Sequence, residues 1–162
     1  MGKKQYEESL FAAFNVMVLL IMIGLILYIM LFAEAAGILR FTPFSLLLLF
    51  LLLIALVNFR KLHIRFEKWG LDIGYGLIRQ KIPWEYIEKV YIDESGISNP
   101  GIGLQSSQNR WKLVYHVVGF RRVVLAVRNN WYREFAFSSR NPEKILQEIE
   151  GCLKKKKIKK RN

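Results

Sequence analysis

Two long uncharged apolar runs near the start of the chain constrain everything that follows them. Phe11 to Phe32 reads FAAFNVMVLLIMIGLILYIMLF and Phe41 to Phe59 reads FTPFSLLLLFLLLIALVNF, with only AEAAGILR between them. Each run has about the length a helix needs to cross roughly 30 Å of hydrocarbon. The pattern predicts a membrane α-helical hairpin, with helices over about 11–32 and 42–59, followed by a mainly-β domain.

Residues 1–60 belong to the hairpin segment, which leaves about 100 of the 162 residues for one domain with a modest core. The net charge is +12, from 25 Lys and Arg against 13 Asp and Glu. Lys3, Lys4 and Arg40 balance Glu7, Glu8 and Glu34, so the whole excess lies from Arg60 onward. A basic domain beside a bilayer points to anionic lipid headgroups. Nucleic acid is the competing partner for such charge, but the hairpin already holds this domain at lipid.

Cys152 is the single cysteine, so no intrachain disulfide forms. His63 and His116 have no acidic or cysteine neighbours at ligand spacing, so neither a metal nor a cofactor is expected.

Lys3 and Lys4 precede the first run, and Ala33-Glu34-Ala35 has the small-x-small form of a signal cleavage site. The run is longer than a signal h-region, so an uncleaved helix is expected. Met1-Gly2 lacks the Ser or Thr at position six that myristoylation requires. The connecting loop carries only Arg40, whereas Arg60, Lys61, Arg65 and Lys68 follow the second run. The positive-inside rule then puts both termini in the cytoplasm of a two-pass cell-membrane protein.

Thr42-Pro43 reads as an N-cap and first helical residue. Asn15 and Asn58 are the most polar residues of the two runs and fall at similar depth in an antiparallel hairpin. An interhelical hydrogen bond between them, worth about 0.6 kcal/mol, is one expectation; wetting of both at the interface is the other. Gly24 permits close helix approach but has no GxxxG context. No ionisable residue lies within either run, which argues against a proton or ion relay.

From Lys61 the period becomes two. Strands are expected at 61–67, 71–75, 78–82, 89–93, 111–118, 121–127 and 132–138. Trp84 to Ile87 reads as a short helical turn, 95–110 as the longest loop, and Gly119 and Asn129-Asn130 as hairpin turns. Asn141-Pro142 then opens a helix whose apolar face is Ile145, Leu146, Ile149 and Leu153.

Several stretches resemble prokaryotic (bacterial and archaeal) PH-like domain membrane proteins with an N-terminal two-helix hairpin. These are Ile82-Pro83-Trp84-Glu85-Tyr86-Ile87, Gly101-Ile102-Gly103-Leu104, Arg121 to Leu125, and Phe137 to Leu146 with its Asn-Pro-Glu helix start. The resemblance covers roughly residues 5–153. It implies a PH-like barrel of about seven antiparallel strands closed by a C-terminal α-helix, with a PH-like domain over 61–153 and a basic tail over 154–162. It implies no catalysis, since the family has no established common activity or ligand. The basic phosphoinositide pocket of eukaryotic PH domains has no counterpart beyond Arg60, Lys61 and Arg65.

Candidate chemistry is sparse. Glu85 and Glu88 stand at i,i+3, but no nucleophile and base accompany them, and Ser138-Ser139 has no G-x-S-x-G context. Cys152 reads as a plain helix residue, and Trp69, Trp84, Trp111 and Trp131 as core or interface aromatics rather than base-stacking platforms. No catalytic residue is expected. Lipid-surface contact is expected from Arg60, Lys61, Arg65, Lys154, Lys155, Lys156, Lys157, Lys159, Lys160 and Arg161; a solvated charge run is the plainer reading of the tail. The leading expectation is a non-enzymatic membrane-anchored module that binds a membrane protein or its own copies. A small oligomeric channel component and a membrane-tethered nucleic-acid binder are the competing ones.

Overall fold

The computed structural model describes residues 6–35, 43–93, 101–107, 110–128 and 132–159. A strand, β1 (Glu7–Phe11), precedes two apolar helices, α1 (Ala13–Ala35) and α2 (Pro43–Phe59). Strands β2 (Lys61–Phe66), β3 (Gly70–Tyr75) and β4 (Ile78–Pro83) follow, then a 3-10 turn at Trp84–Tyr86. Next come β5 (Ile87–Asp93), β6 (Gly101–Ser107), β7 (Arg110–His116), β8 (Arg121–Val127) and β9 (Glu134–Ser139), and finally α3 (Pro142–Lys159).

α1 contains one stretch, Ala13–Phe32, long and apolar enough to cross a membrane, with mean hydropathy 2.7 and most of its side chains, Ile23 apart, not buried by the rest of the chain. α2 is equally apolar but 17 residues long, about 26 Å at 1.5 Å per residue. The two helices pack on each other, and both expose Leu, Ile and Phe over most of their surface.

The strands form two sheets rather than the single closed antiparallel barrel expected. The first has the order β1-β2-β3-β4 and the second β5-β8-β9-β7-β6. Three local expectations are corrected. Phe11 is not the first helical residue but the last of β1, which pairs with β2 in the register Glu7↔Arg65 to Phe11↔Lys61. Residues 101–107, read as loop, form β6 against β7; their Gly and Ser content hides a strand that exists through its partner's ladder. Gly119 (φ +90°) does turn the chain, but not between neighbours, because β9 lies between β7 and β8 and runs parallel to β7. The hairpin at 129–130 does join paired strands, β8 and β9; residues 129 and 130 themselves lie outside the described residues, as does Thr42.

One core joins both sheets to α3. Leu62, Ile64, Leu71 and Ile73 meet Val123, Leu125, Phe135 and Phe137 across it, and Ile145 and Ile149 of α3 close one side. The period-two pattern of β2 and the 3.6 pattern of α3 are the residues that supply these contacts. Trp84 is buried here, with its indole N–H donated to the Glu67 carbonyl at 3.0 Å. β1 places Leu10 in the same core, so residues before the first helix belong structurally to the β domain.

Candidate membrane-junction site

α1 leaves the β domain after β1 and α2 returns to it before β2. The two crossings are tied together: the Ala12 amide donates to the Arg60 carbonyl at 2.9 Å, continuing the β1–β2 ladder to the foot of both helices. An apolar helical pair is thus inserted between two hydrogen-bonded strands.

Each predicted asparagine has its partner on the β3–β4 hairpin rather than on the other helix. Asn58, in the last turn of α2, accepts the Leu77 amide on Oδ1 at 2.7 Å. Leu77 and Gly76 form the turn between β3 and β4. Gly76 has φ +42°, and a Cβ there would lie 2.2 Å from Asn58 Oδ1. Glycine is therefore required both by the backbone and by the approach of Asn58. Asn15, in the first turn of α1, hydrogen-bonds the Tyr75 phenol, which itself donates to the His116 carbonyl at 2.9 Å. Burial pushes the Tyr75 pKa up, and the Asn15 bond opposes it. Phe59 packs on the Tyr75 ring with centroids 5.7 Å apart.

Behind Tyr75 lies a buried polar pair. His116 Nδ1 is 2.8 Å from Ser138 Oγ, which also accepts the Val117 amide at 3.0 Å. His116 Nε2 is buried without a hydrogen-bond partner. Burial and the nearby Arg122 charge hold the imidazole pKa below its ordinary value. The serine–imidazole distance suits proton transfer, but both side chains are buried and no carboxylate orients Nε2. What the pair does here is tie parallel β7 to β9. On the same outer face of the second sheet, Asp93 Oδ2 receives Lys112 Nζ at 3.0 Å and Arg122 Nη2 at 3.2 Å.

Glu8 is the hub that sequence reading passes over. Its Oε2 accepts the Tyr6 hydroxyl at 2.8 Å and Ser139 Oγ at 2.9 Å, and its Oε1 accepts the Arg140 amide at 2.6 Å. β1 is thereby fastened to the start of α3. Burial, then Glu8, pushes the Tyr6 phenol up. The signal in the sequence is faint: one of two adjacent acids in a polar leader, with Ser139 and Arg140 more than 130 positions away in the chain.

No protein-family model, curated protein or solved structure matches the chain.

The structure brings only part of the predicted lipid-contact set together. Arg60 and Lys61 are exposed at the foot of α2. Arg65 lies further along β2 and pairs with Glu7 at 2.7 Å. Lys154 lies with Glu150 and Leu153 against Glu88, Lys89 and Val90 at the start of β5. That strand follows the 3-10 turn, which is held to the β2–β3 turn through Trp84 N–H and the Trp69 carbonyl at 3.2 Å. Lys154 is therefore at the end of the domain opposite α1 and α2. The backbone of Lys155, Lys156, Lys157 and Lys159 continues α3, and Lys160 and Arg161 lie outside the described residues. Glu88 pairs with Arg128 at 2.7 Å on the surface, and Cys152 is half-buried. Among the described residues, no three His, Cys, Asp or Glu side chains gather into a metal-binding group.

Proposed function

We propose that this chain is a two-pass membrane protein whose β domain is a non-enzymatic interaction module held in fixed orientation at the membrane face. The observation that carries the reading is the insertion of α1 and α2 between paired strands, closed by the Ala12–Arg60 bond. A domain fastened to its anchor by two strands of one sheet cannot swivel as it would on a linker. The exposed apolar surfaces of both helices support a lipid environment, since such surface is not left in water. α2 at 17 residues is at the short end of the spanning range.

The fold we assign to the module is PH-like, on the strand run ended by α3 and on the Ile82–Ile87 and Asn141–Glu143 stretches. Its parallel β7–β9 pair departs from an all-antiparallel barrel. The partner is a membrane protein or a second copy of this chain. Arg60 and Lys61, at the helix foot, support contact with anionic headgroups; Lys154, at the far end, supports contact with an acidic partner surface.

Crosslinking in native membranes, followed by identification of the captured chains, tests this. A discrete partner or homo-oligomer is the expected product. A chain released from membranes by alkaline carbonate, or one that stays uncrosslinked and monomeric, overturns the reading.

A further inference from the structure

The β3–β4 turn exposes Leu77 at 90% of its surface, in a domain whose other strand apolar residues are mostly buried. Ile78, beside it, is 45% exposed, and Phe11, on the opposite edge strand of the same sheet, is 51% exposed. All three lie at one end of the first sheet. Phe11 is the last residue before α1, paired with Lys61, and Ile78 pairs with Tyr75 beside the turn. The level of this end is set by Asn58: its bond to the Leu77 amide puts the turn within one helical turn, about 5.4 Å, of the foot of α2. The cations here are Arg60, Lys61 and Arg79, whose Nε donates to the Gly76 carbonyl at 2.8 Å and so folds the guanidinium back over the turn. Asp72 is the acid of this group, 3.8 Å from Arg79.

We propose that the Gly76-Leu77 turn is a third membrane contact, resting on the two-pass reading: Leu77, Ile78 and Phe11 enter the interfacial layer of the leaflet at the foot of α2, and Arg60, Lys61 and Arg79 meet its anionic headgroups. A sheet end that carries exposed apolar side chains at both edges and cations on β2 and β4 has the chemistry of an interfacial lipid contact. Continuity with the apolar surfaces of α1 and α2 selects a bilayer over a protein groove. The latch from Asn58 gives the turn its depth, and a longer β3–β4 loop would lose it.

The test uses the full chain with Cys152→Ser and an environment-sensitive label at Leu77→Cys, in vesicles of phosphatidylcholine with or without phosphatidylglycerol. Three outcomes decide. A blue-shifted emission, quenched most by nitroxides near the headgroup and more with phosphatidylglycerol than without, is expected; Arg79→Glu should remove the phosphatidylglycerol increment. Solvent-like emission at Leu77→Cys overturns the proposal. So does a shielded label insensitive to every lipid quencher but crosslinking to a second copy, which makes the turn an oligomer contact. A label at Leu25→Cys, in mid-α1, separates the two claims. Deep quenching there with none at Leu77→Cys rejects the turn contact alone, whereas no quenching at either site rejects the membrane reading itself.

Discussion

Asn58 and Gly76 illustrate how a single side chain can set the position of a whole turn. The asparagine is polar enough to stand out in its apolar run, so its importance is legible in the sequence; its partner is not, because Leu77 lies 19 positions on, in a different element. Asn58→Ala should cost about 1 kcal/mol through the lost bond. Gly76→Ala should cost about 1–3 kcal/mol, since φ +42° strains any L side chain. The two should couple, because Asn58→Ala also removes the oxygen that the new Cβ would strike. Denaturant unfolding in detergent of both single variants and the double variant reads this, and strictly additive costs would contradict it. His116 carries a prediction of opposite visibility, for nothing in the sequence marks it as buried. Its folded pKa is depressed by burial and Arg122. On acidification the unfolded chain binds a proton before the folded chain does, so stability falls as pH drops below about 6.5 and levels off beneath the folded value. His63, lowered by burial and by Arg79 and Lys61, adds in the same direction but is more exposed. Melting temperature between pH 7 and pH 5 should therefore fall, and His116→Asn should flatten that slope more than His63→Asn.

At the scale of elements, what the sequence shows depends on whether an element's pattern is self-contained. α1, α2 and α3 are legible because an apolar run or a 3.6 period needs no partner, and Pro142 marks the start of α3 to the residue. β2 and β3 are legible from alternation, and β4, β5 and β8 as short segments bounded by turn residues. β1 is not: five residues, EESLF, become a strand only because β2 returns beside them after both helices. β6 fails for a related reason, since its Gly and Ser residues have no strand signature apart from β7. The parallel β7–β9 pairing is a long-range choice that no local pattern encodes. β1 is nonetheless the element that unites the helical pair with the β domain, and Glu8 fastens it to the start of α3. Glu8→Ala strips three acceptor bonds from Tyr6, Ser139 and Arg140. It should destabilise the domain by about 1.5–3 kcal/mol, the range for a bond to a charged group. Glu8→Gln should recover part of this, and an unchanged unfolding midpoint for Glu8→Ala would show that β1 is not fastened to α3. In α3, Ile149→Ala should cost about 2–5 kcal/mol as a buried large-to-small change, measurable in the same way. A loss under 1 kcal/mol would mean that α3 does not close the core.

For the whole molecule, the consequence is mechanical. An anchor joined by one peptide segment leaves its domain free to tumble; an anchor inserted between paired strands does not. The hydrogen bonds from Phe66 N to the Tyr6 carbonyl and from Ala12 N to the Arg60 carbonyl mark the hydrogen-bonded pairs of the β1–β2 ladder. Counting from both ends makes Ser9–His63 a non-hydrogen-bonded pair, with Cα atoms close to 4.5 Å apart in such pairs. That geometry accepts a disulfide. The decisive measurement is therefore oxidation of Ser9→Cys/His63→Cys, in a Cys152→Ser background, in intact membranes. Rapid and near-complete disulfide formation in a chain that stays with the alkali-washed membrane pellet is predicted. Thiols that remain free in that pellet would mean that β1 does not return to β2 across the helices, and the fixed coupling of domain to anchor would be contradicted.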